Sequence, residues 1–153
     1  MFEHILVAID GSVYSESSLP AAIEVAKKFG SELLVLHVSE HDHGRTVVFS
    51  LESPAAASML VARAVKSACD AGIKVEGQLH DVAAGHVAKA IVETAETNGV
   101  DLIVMGSRGL SDLQGLLVGS VAHEVMKAAS IPVLVIRPTP KWTPVARGSV
   151  AVF

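Results

Sequence analysis

Short apolar runs alternate along the chain with longer amphipathic stretches. His4–Ile9 (HILVAI) and Leu33–Val38 (LLVLHV) lack polar alternation, which is typical of strands buried on both faces. Further strands are predicted at Lys74–His80, Leu102–Met105 and Pro132–Ile136. The third of these five strands is the most polar, so we expect it near an edge of the sheet.

The stretches between the strands carry apolar residues at helical spacing. The predicted helices cover residues 16–29, 54–71, 85–98 and 120–129. The start of the first helix stays open, because Ser15, Ser17 and Ser18 could each cap it. Ser53 followed by Pro54 predicts an N-cap and a first helical residue for the second helix.

Residues 39–52 show no regular period and are predicted to form a long loop. With 153 residues in all, we expect one domain over residues 1–138 and a C-terminal tail over residues 139–153. Strands that alternate with helices predict an α/β fold, an open parallel sheet with helices on both faces.

The loops after the first and fourth strands carry the residues that suit a ligand site. The first strand is followed by Asp10-Gly11-Ser12, and the fourth by Gly106-Ser107-Arg108-Gly109, then nine residues, then Gly119-Ser120. Ligands of open α/β sheets bind at the carboxyl ends of the strands, where the strand order reverses. We therefore expect the first and fourth strands to be neighbours at that point.

The glycine-rich loop has the composition of an anion site. Glycine lets backbone N–H groups approach phosphate oxygens, and Arg108 adds a fixed positive charge. Gly119 and Ser120 lie at the N-terminus of the fourth helix, which also favours phosphate. The alternative is that the glycines serve only tight turns. The loop matches neither a Walker A motif, which needs a lysine before Ser120, nor a GxGxxG fingerprint.

These segments resemble the universal stress protein family. The resemblance covers residues 1 to about 138 and rests on ILVAIDGS, DLIVMGSRG, PVLVIRP and the G-x2-G-x9-G-S spacing. That spacing is typical of the family's ATP-binding branch. The resemblance implies a Rossmann-like, parallel five-stranded sheet in the order 3-2-1-4-5, and a regulatory role in the stress response that depends on ATP, with Mg²⁺.

The resemblance also implies a set of nucleotide contacts. The implied residues are Ala8, Ile9, Asp10, Val38, Met105, Gly106, Arg108, Gly109, Gly119, Ser120 and Val121. The first three would line the adenosine end, and Val38 would meet adenine through its backbone. Met105 and Gly106 would continue the wall, and the remaining five would hold the ribose and phosphates. A carboxylate repels bare phosphate, so Asp10 belongs at the nucleoside or at a magnesium ion.

Composition limits the other classes of function and location. Half of the residues are hydrophobic and the net charge is −4, which argues against disorder and against non-specific nucleic-acid binding. The single cysteine, Cys69, fits a reducing compartment and is expected to be a buried, inert thiol. No apolar run reaches the length of a membrane span, and the N-terminus lacks a basic leader. We expect a cytoplasmic protein that binds no membrane.

The sequence gives weaker support to three alternatives: an ATP-using enzyme, a phosphoacceptor domain and a metal site. An ATP-using enzyme of similar fold would need a nucleophile or general base beside the glycine loop, and the sequence places none there, so we expect at most slow hydrolysis. A phosphoacceptor receiver domain would use Asp81 after the third strand, but the acidic pair and the lysine of such domains are missing. His41-Asp42-His43 is interpreted as a solvated loop, not a metal site. His37 is predicted to be a hydrogen-bonded core residue, and His123 to be structural.

The fifth strand predicts the mode of assembly. In the order 3-2-1-4-5 it lies at an edge, and its residues Val133, Leu134, Val135 and Ile136 are all apolar. An apolar edge with unpaired backbone groups invites pairing with a second copy. We expect a homodimer through this strand, as the family resemblance also implies.

Overall fold

Strands and helices alternate through a computed structural model that describes residues 1–43, 48–50, 52–109 and 118–137. The strands are β1 His4–Ile9, β2 Glu32–His43, β3 Val48–Ser50, β4 Val75–Ala83, β5 Leu102–Gly106 and β6 Val133–Ile136. The helices are α1 Val13–Phe29, α2 Pro54–Asp70, α3 Val87–Thr97 and α4 Ser120–Ala128. The tail predicted over residues 139–153 lies outside the described residues.

The expected sheet is confirmed. Strands β4, β2, β1, β5 and β6 pair in that order and all in parallel, which is the predicted order 3-2-1-4-5. Ile5 of β1 aligns with Leu33 on one side and Leu102 on the other. The polar strand β4 lies at one end of this parallel order, as its composition predicted.

Strict alternation along the central strands divides the core into two layers. Ile5, Val7 and Ile9 of β1 face α1 and α2, where they meet small residues such as Ala22 and Ala64. The opposite face is built by alternate strand residues packed on α3 and α4; its buried members include Leu6, Leu34, Leu36, Ile91, Ile103, Met105, Ala122 and Val125. Both faces of the sheet are therefore covered, and aliphatic side chains fill both layers.

The first helix begins earlier than predicted. Ser12 is its N-cap, and the Ser12 hydroxyl accepts a hydrogen bond of 3.2 Å from the backbone N–H of Ser15. Pro20 lies inside the helix and not in its first turn. The serines at 15, 17 and 18 instead donate their hydroxyls to backbone carbonyls one turn earlier. Helix α2 starts as predicted, with Ser53 as its N-cap and Pro54 in the first turn.

The segment 39–52 is not one long loop. Strand β2 continues to His43, and β3 returns antiparallel to it, with His41 aligned to Ser50. Strand β4 extends to Ala83 along the same stretch, so Asp81 lies within a strand and not after it. Backbone pairing with β3 and β4 keeps this polar part of β2 extended. The periodicity of the side chains gives no sign of that pairing.

Cys69 lies on the surface of α2, so the prediction of a buried thiol is wrong. Its neighbour Ala68 occupies the buried position of that turn. Among the described residues, no helix is long and apolar enough to cross a membrane.

Helix α2 sits unusually close to β4 at Gly77. A Cβ at this position would lie 2.6 Å from Val61 Cγ1 and 2.8 Å from Val65 Cγ2. Both distances are shorter than carbon atoms tolerate, so the absence of a side chain sets how near the helix can pack.

We predict that Gly77→Ala lowers the free energy of unfolding by about 1–3 kcal/mol, because the new methyl group overpacks this contact. Urea denaturation of the variant measures the loss. In a Val61→Ala, Val65→Ala background the same substitution should be neutral or stabilising, since the colliding methyl groups are gone. A single variant as stable as the wild type would contradict the close packing.

Candidate functional site

A cavity of about 300 Å³ opens at the carboxyl ends of the central strands. Its walls come from β1, β2 and β5, from the first turns of α1, α3 and α4, and from Glu52 ahead of α2. The lining residues are Ala8, Ile9, Asp10, Ser15, Leu36, His37, Val38, Ser39, Glu40, Glu52, Val87, Ile91, Met105, Gly106, Arg108, Gly109, Val121 and Ala122. The cavity thus lies at the reversal of strand order, between β1 and β5.

Most residues predicted for the site line this cavity. All of the expected nucleotide contacts do so except Gly119 and Ser120. Ser120 is the first residue of α4 and Gly119 is its N-cap. These two residues therefore border the site through the adjacent Val121 and do not form its wall.

Gly119 is instead engaged with the loop that follows β5. Its backbone N–H donates to the carbonyl of Ser107 over 2.7 Å, and the N–H of Ser107 donates to the carbonyl of Ile136 over 2.8 Å. Ser107 is buried beneath these bonds. The two ends of the glycine motif are thus joined by main-chain hydrogen bonds, and β6 is tied to the same point.

Gly106 has a packing role that the sequence did not reveal. A Cβ here would lie 2.9 Å from both the carbonyl carbon and oxygen of Tyr14, and 3.0 Å from its Cβ. The end of β5 therefore touches the main chain of the first turn of α1. This glycine is required by a helix–strand contact and not by a turn.

Arg108 lies two residues further on and is held by the same helix. Its Nη1 donates to the Tyr14 hydroxyl over 3.2 Å, and its Cζ lies 5.6 Å from the centre of the Tyr14 ring. Among the described residues Arg108 forms no ion pair. The cavity consequently contains one guanidinium whose partner there is a neutral phenol.

Asp10 lines the cavity and also shapes the start of α1. Its Oδ1 accepts a hydrogen bond of 2.9 Å from the backbone N–H of Ser12, the residue that caps the helix. The predicted ligand-facing carboxylate thus has a structural task as well, in an Asx-type turn.

His37 is a buried, hydrogen-bonded residue of β2, as predicted, and it also forms part of the cavity wall. Its Nδ1 lies 2.7 Å from the carbonyl of Ile9, and its Nε2 lies 2.6 Å from Oε2 of Glu52. A carbonyl only accepts, so Nδ1 is the donor to Ile9, while Nε2 shares a hydrogen bond with the Glu52 carboxylate. The pair ties the segment before α2 to the central sheet.

Further polar residues at this edge are joined to each other. His41 Nδ1 lies 2.9 Å from Oδ2 of Asp81, and the Ser39 hydroxyl reaches the other oxygen of Asp81 at 3.2 Å. The Glu40 carboxylate accepts the backbone N–H of Gly85 at 2.8 Å and so fixes the turn before α3. His123 is exposed on α4 and does not line the cavity.

Sequence reasoning missed the contribution of residues that precede or follow the expected loops. Ser15, Glu40 and Glu52 line the cavity but stand in segments interpreted as a helix cap or a loop. No local signal marks Glu52, because its place depends on the partner His37. Asp42 and His43 have side chains outside the described set. Within that set, no group of three potential ligands is arranged for a metal ion.

The fold and the cavity define an α/β protein with an open parallel sheet and a cleft at the reversal of strand order. The universal stress protein family model matches residues 1–137, and the chain belongs to this family.

Relatives and solved structures agree with this assignment. The universal stress protein YxiE of Bacillus subtilis is 34% identical over 90% of this chain and 100% of its own length. The structure of MJ0577 from Methanocaldococcus jannaschii superposes with a TM-score of 0.74, at 28% identity, over 92% of this chain and 99% of that one. A universal stress protein from Archaeoglobus fulgidus, solved in complex with dAMP, gives a TM-score of 0.68 at 28% identity, covering 88% and 98% of the two chains.

We predict that Glu52→Ala costs about 1–3 kcal/mol of unfolding free energy, because the buried Nε2 of His37 loses its partner. Glu52→Gln should cost less, since its amide can donate to a neutral imidazole. Thermal and urea unfolding measure both, with Glu96→Ala on the exposed face of α3 as the control. Equal stability of the Glu52→Ala and control variants would contradict a structural role for the pair.

Proposed function

We propose that this protein binds ATP in the cavity between β1 and β5 and acts as a nucleotide-dependent regulatory module in the stress response of the cytoplasm. The observation that carries the proposal is that one cavity is lined both by apolar side chains and by Arg108 and Gly109 of the glycine motif, which we call its cationic end. The dAMP complex of the Archaeoglobus fulgidus relative supports an adenine nucleotide as the occupant.

The apolar part of the cavity suits a purine base. Ala8, Val38, Met105 and Val121 contribute side chains that lie at the carboxyl ends of three parallel strands and the start of α4. A flat aromatic ring buries its faces on such walls, while backbone groups at the end of β2 can read its edge. The volume of about 300 Å³ is at the lower end of the range of small-molecule sites.

The cationic end suits the phosphates. Arg108 and Gly109 line the cavity together, and the N-terminus of α4 begins beside them at Ser120. A guanidinium, glycine backbone and a helix N-terminus each favour a phosphate oxygen. This placement agrees with the interpretation of the glycine motif as an anion site.

The acidic residues of the cavity fit a companion cation. Asp10, Glu40 and Glu52 add carboxylates to a cavity whose cationic group is Arg108. Bare ATP would be repelled by them, whereas Mg²⁺ on the phosphates reduces that repulsion. Asp10 is the residue we assign to the cation, or to a hydroxyl of the ribose, because it follows β1 directly.

We propose a binding role in place of catalysis. The Ser15 hydroxyl in the cavity wall donates to the carbonyl of Ser12, and the His37 ring is held between the Ile9 carbonyl and Glu52, so these two side chains do not form a pair of nucleophile and general base. The His41–Asp81 pair belongs to the β2–β4 edge, and neither residue lines the cavity. Regulation would then follow from the difference between the nucleotide-bound and the nucleotide-free protein.

We predict that Gly119→Val lowers ATP affinity by at least about tenfold and leaves the fold intact, because it adds bulk where the start of α4 meets the phosphates. The φ of Gly119 is −72°, which valine adopts without strain. Calorimetry with ATP and Mg²⁺ measures the loss. Adenosine, which lacks phosphates, is the control ligand and should bind the variant and the wild type alike.

For the wild type, ATP at a hundredfold excess over Kd should raise the free energy of unfolding by about 2.7 kcal/mol. Mass spectrometry of the denatured protein identifies any nucleotide that copurifies. Unchanged ATP affinity in folded Gly119→Val would remove the assignment of phosphates to this end, and a wild type without nucleotide affinity would refute the proposed function.

We also propose a homodimer through β6. In the described sheet β6 pairs only with β5 and ends the strand order. The carbonyl of Pro132 accepts from Ile103 of β5, and that of Ile136 accepts from Ser107 just after β5. The alternating backbone groups of Val133 and Val135 therefore point to the open edge. Leu134 keeps 37% of its surface exposed beside that edge. Backbone pairing and apolar contact are thus both available to a second copy.

We predict that Val135→Pro gives a folded monomer, since proline removes an N–H that points away from β5. Leu134→Pro is the matched control: it removes an N–H that faces β5 and should destabilise the fold itself. Light scattering gives the mass, and circular dichroism the fold. A folded Val135→Pro variant that remains dimeric, or a monomeric wild type, would contradict the β6 interface.

A further inference from the structure

We propose that Tyr14 is a positioning residue that holds the Arg108 guanidinium at the phosphate end of the cavity. The inference rests on the proposed function and adds a residue from outside the glycine motif to the phosphate site. Tyr14 belongs to the first turn of α1, whereas Arg108 follows β5. The two residues are brought together only by the pairing of β1 with β5 and the packing of α1 on that sheet.

Two contacts fix the guanidinium on the phenol. Nη1 of Arg108 donates to the Tyr14 hydroxyl over 3.2 Å, and the guanidinium carbon lies 5.6 Å from the ring centre. The second distance is within the range of a cation–π interaction. The hydroxyl and the ring therefore restrict both the position and the rotation of the arginine side chain.

The tyrosine is itself anchored to the strand that carries the arginine. The missing side chain of Gly106 allows the backbone of Tyr14 to lie against the end of β5, where a Cβ would approach it to 2.9 Å. Ser12 caps the same turn from the other side. Tyr14 therefore packs on Gly106 at the end of β5 and holds Arg108, which lies two residues further along the same segment.

A phenol is suited to this task because it leaves the charge intact. A carboxylate partner would neutralise the guanidinium and would compete with phosphate for its N–H groups. The Tyr14 hydroxyl accepts from the guanidinium and brings no carboxylate to it. Among the described residues, Arg108 forms no ion pair. The remaining N–H groups of the guanidinium can then bind an anion from an already ordered side chain, which reduces the entropy lost on binding.

The test compares affinities for ATP and for adenosine. Tyr14→Phe keeps the ring and removes the hydroxyl, and should weaken ATP binding about fivefold. Tyr14→Leu removes both contacts and should weaken it by about tenfold or more. Adenosine affinity should stay within about twofold of the wild type in both variants, because adenosine lacks the phosphates to which we assign the Arg108 guanidinium. Phe29→Leu, at the far end of the same helix, is the control for loss of an aromatic ring.

A double-mutant cycle separates positioning from general packing. In an Arg108→Gln background, Tyr14→Phe should change ATP affinity by less than about twofold, because the group that it positions is gone. An equal loss of ATP and adenosine affinity, or the same loss of ATP affinity with and without Arg108, would overturn the positioning role and leave Tyr14 as a packing residue.

Tyr14 is the only tyrosine of the chain, so 3-fluorotyrosine gives a single ¹⁹F resonance that reports on this contact. The resonance should shift on addition of ATP or inorganic tripolyphosphate, and adenosine should leave it in place. The tripolyphosphate shift should vanish in Arg108→Gln. A wild type that binds ATP without moving this resonance, and whose affinity is insensitive to Tyr14→Phe, overturns the positioning role alone. A wild type that binds neither ATP nor tripolyphosphate overturns the proposed function with it.

Discussion

The parallel pairing of β1 with β5 is the constraint on which the site depends. It aligns Ala8 with Met105 and so places the two loops that follow these strands side by side. The same pairing brings the first turn of α1 against Gly106, where only a hydrogen atom fits between backbone and backbone. A change in this register would separate the Arg108 guanidinium from the Tyr14 phenol.

The rim of the cavity is built from hydrogen bonds between segments far apart in the chain. The carbonyl of Ser107 accepts the backbone N–H of Gly119, and the N–H of Ser107 donates to the carbonyl of Ile136. The start of α4 and the end of β6 therefore meet at one buried serine. In another part of the cavity wall, the His37–Glu52 pair joins the segment before α2 to strand β2. The strand that we propose as the dimer edge and the loop that we propose for phosphate binding therefore share one buried main-chain contact, at Ser107.

The glycines of the motif differ in what they do. Gly106 packs against the backbone of α1, where a side chain does not fit. Gly119 is the N-cap of α4, and its N–H donates to the carbonyl of Ser107. Gly109 and Arg108 line the cavity directly. The glycine spacing therefore meets structural requirements of this loop in addition to the phosphate binding that we propose for it.

The sequence by itself determined the alternation of strands and helices and the parallel sheet covered on both faces, and its resemblance to a family implied the strand order. A buried run such as His4–Ile9 indicates a central strand because both faces of that strand are covered. The family resemblance named about half of the residues that line the cavity. Only the tertiary structure decided the extension of β2 to His43, the Ser12 cap and the exposure of Cys69. It also decided the partners of His37 and Arg108. These features depend on backbone pairing and on side chains from distant segments, and local periodicity carries no information about either.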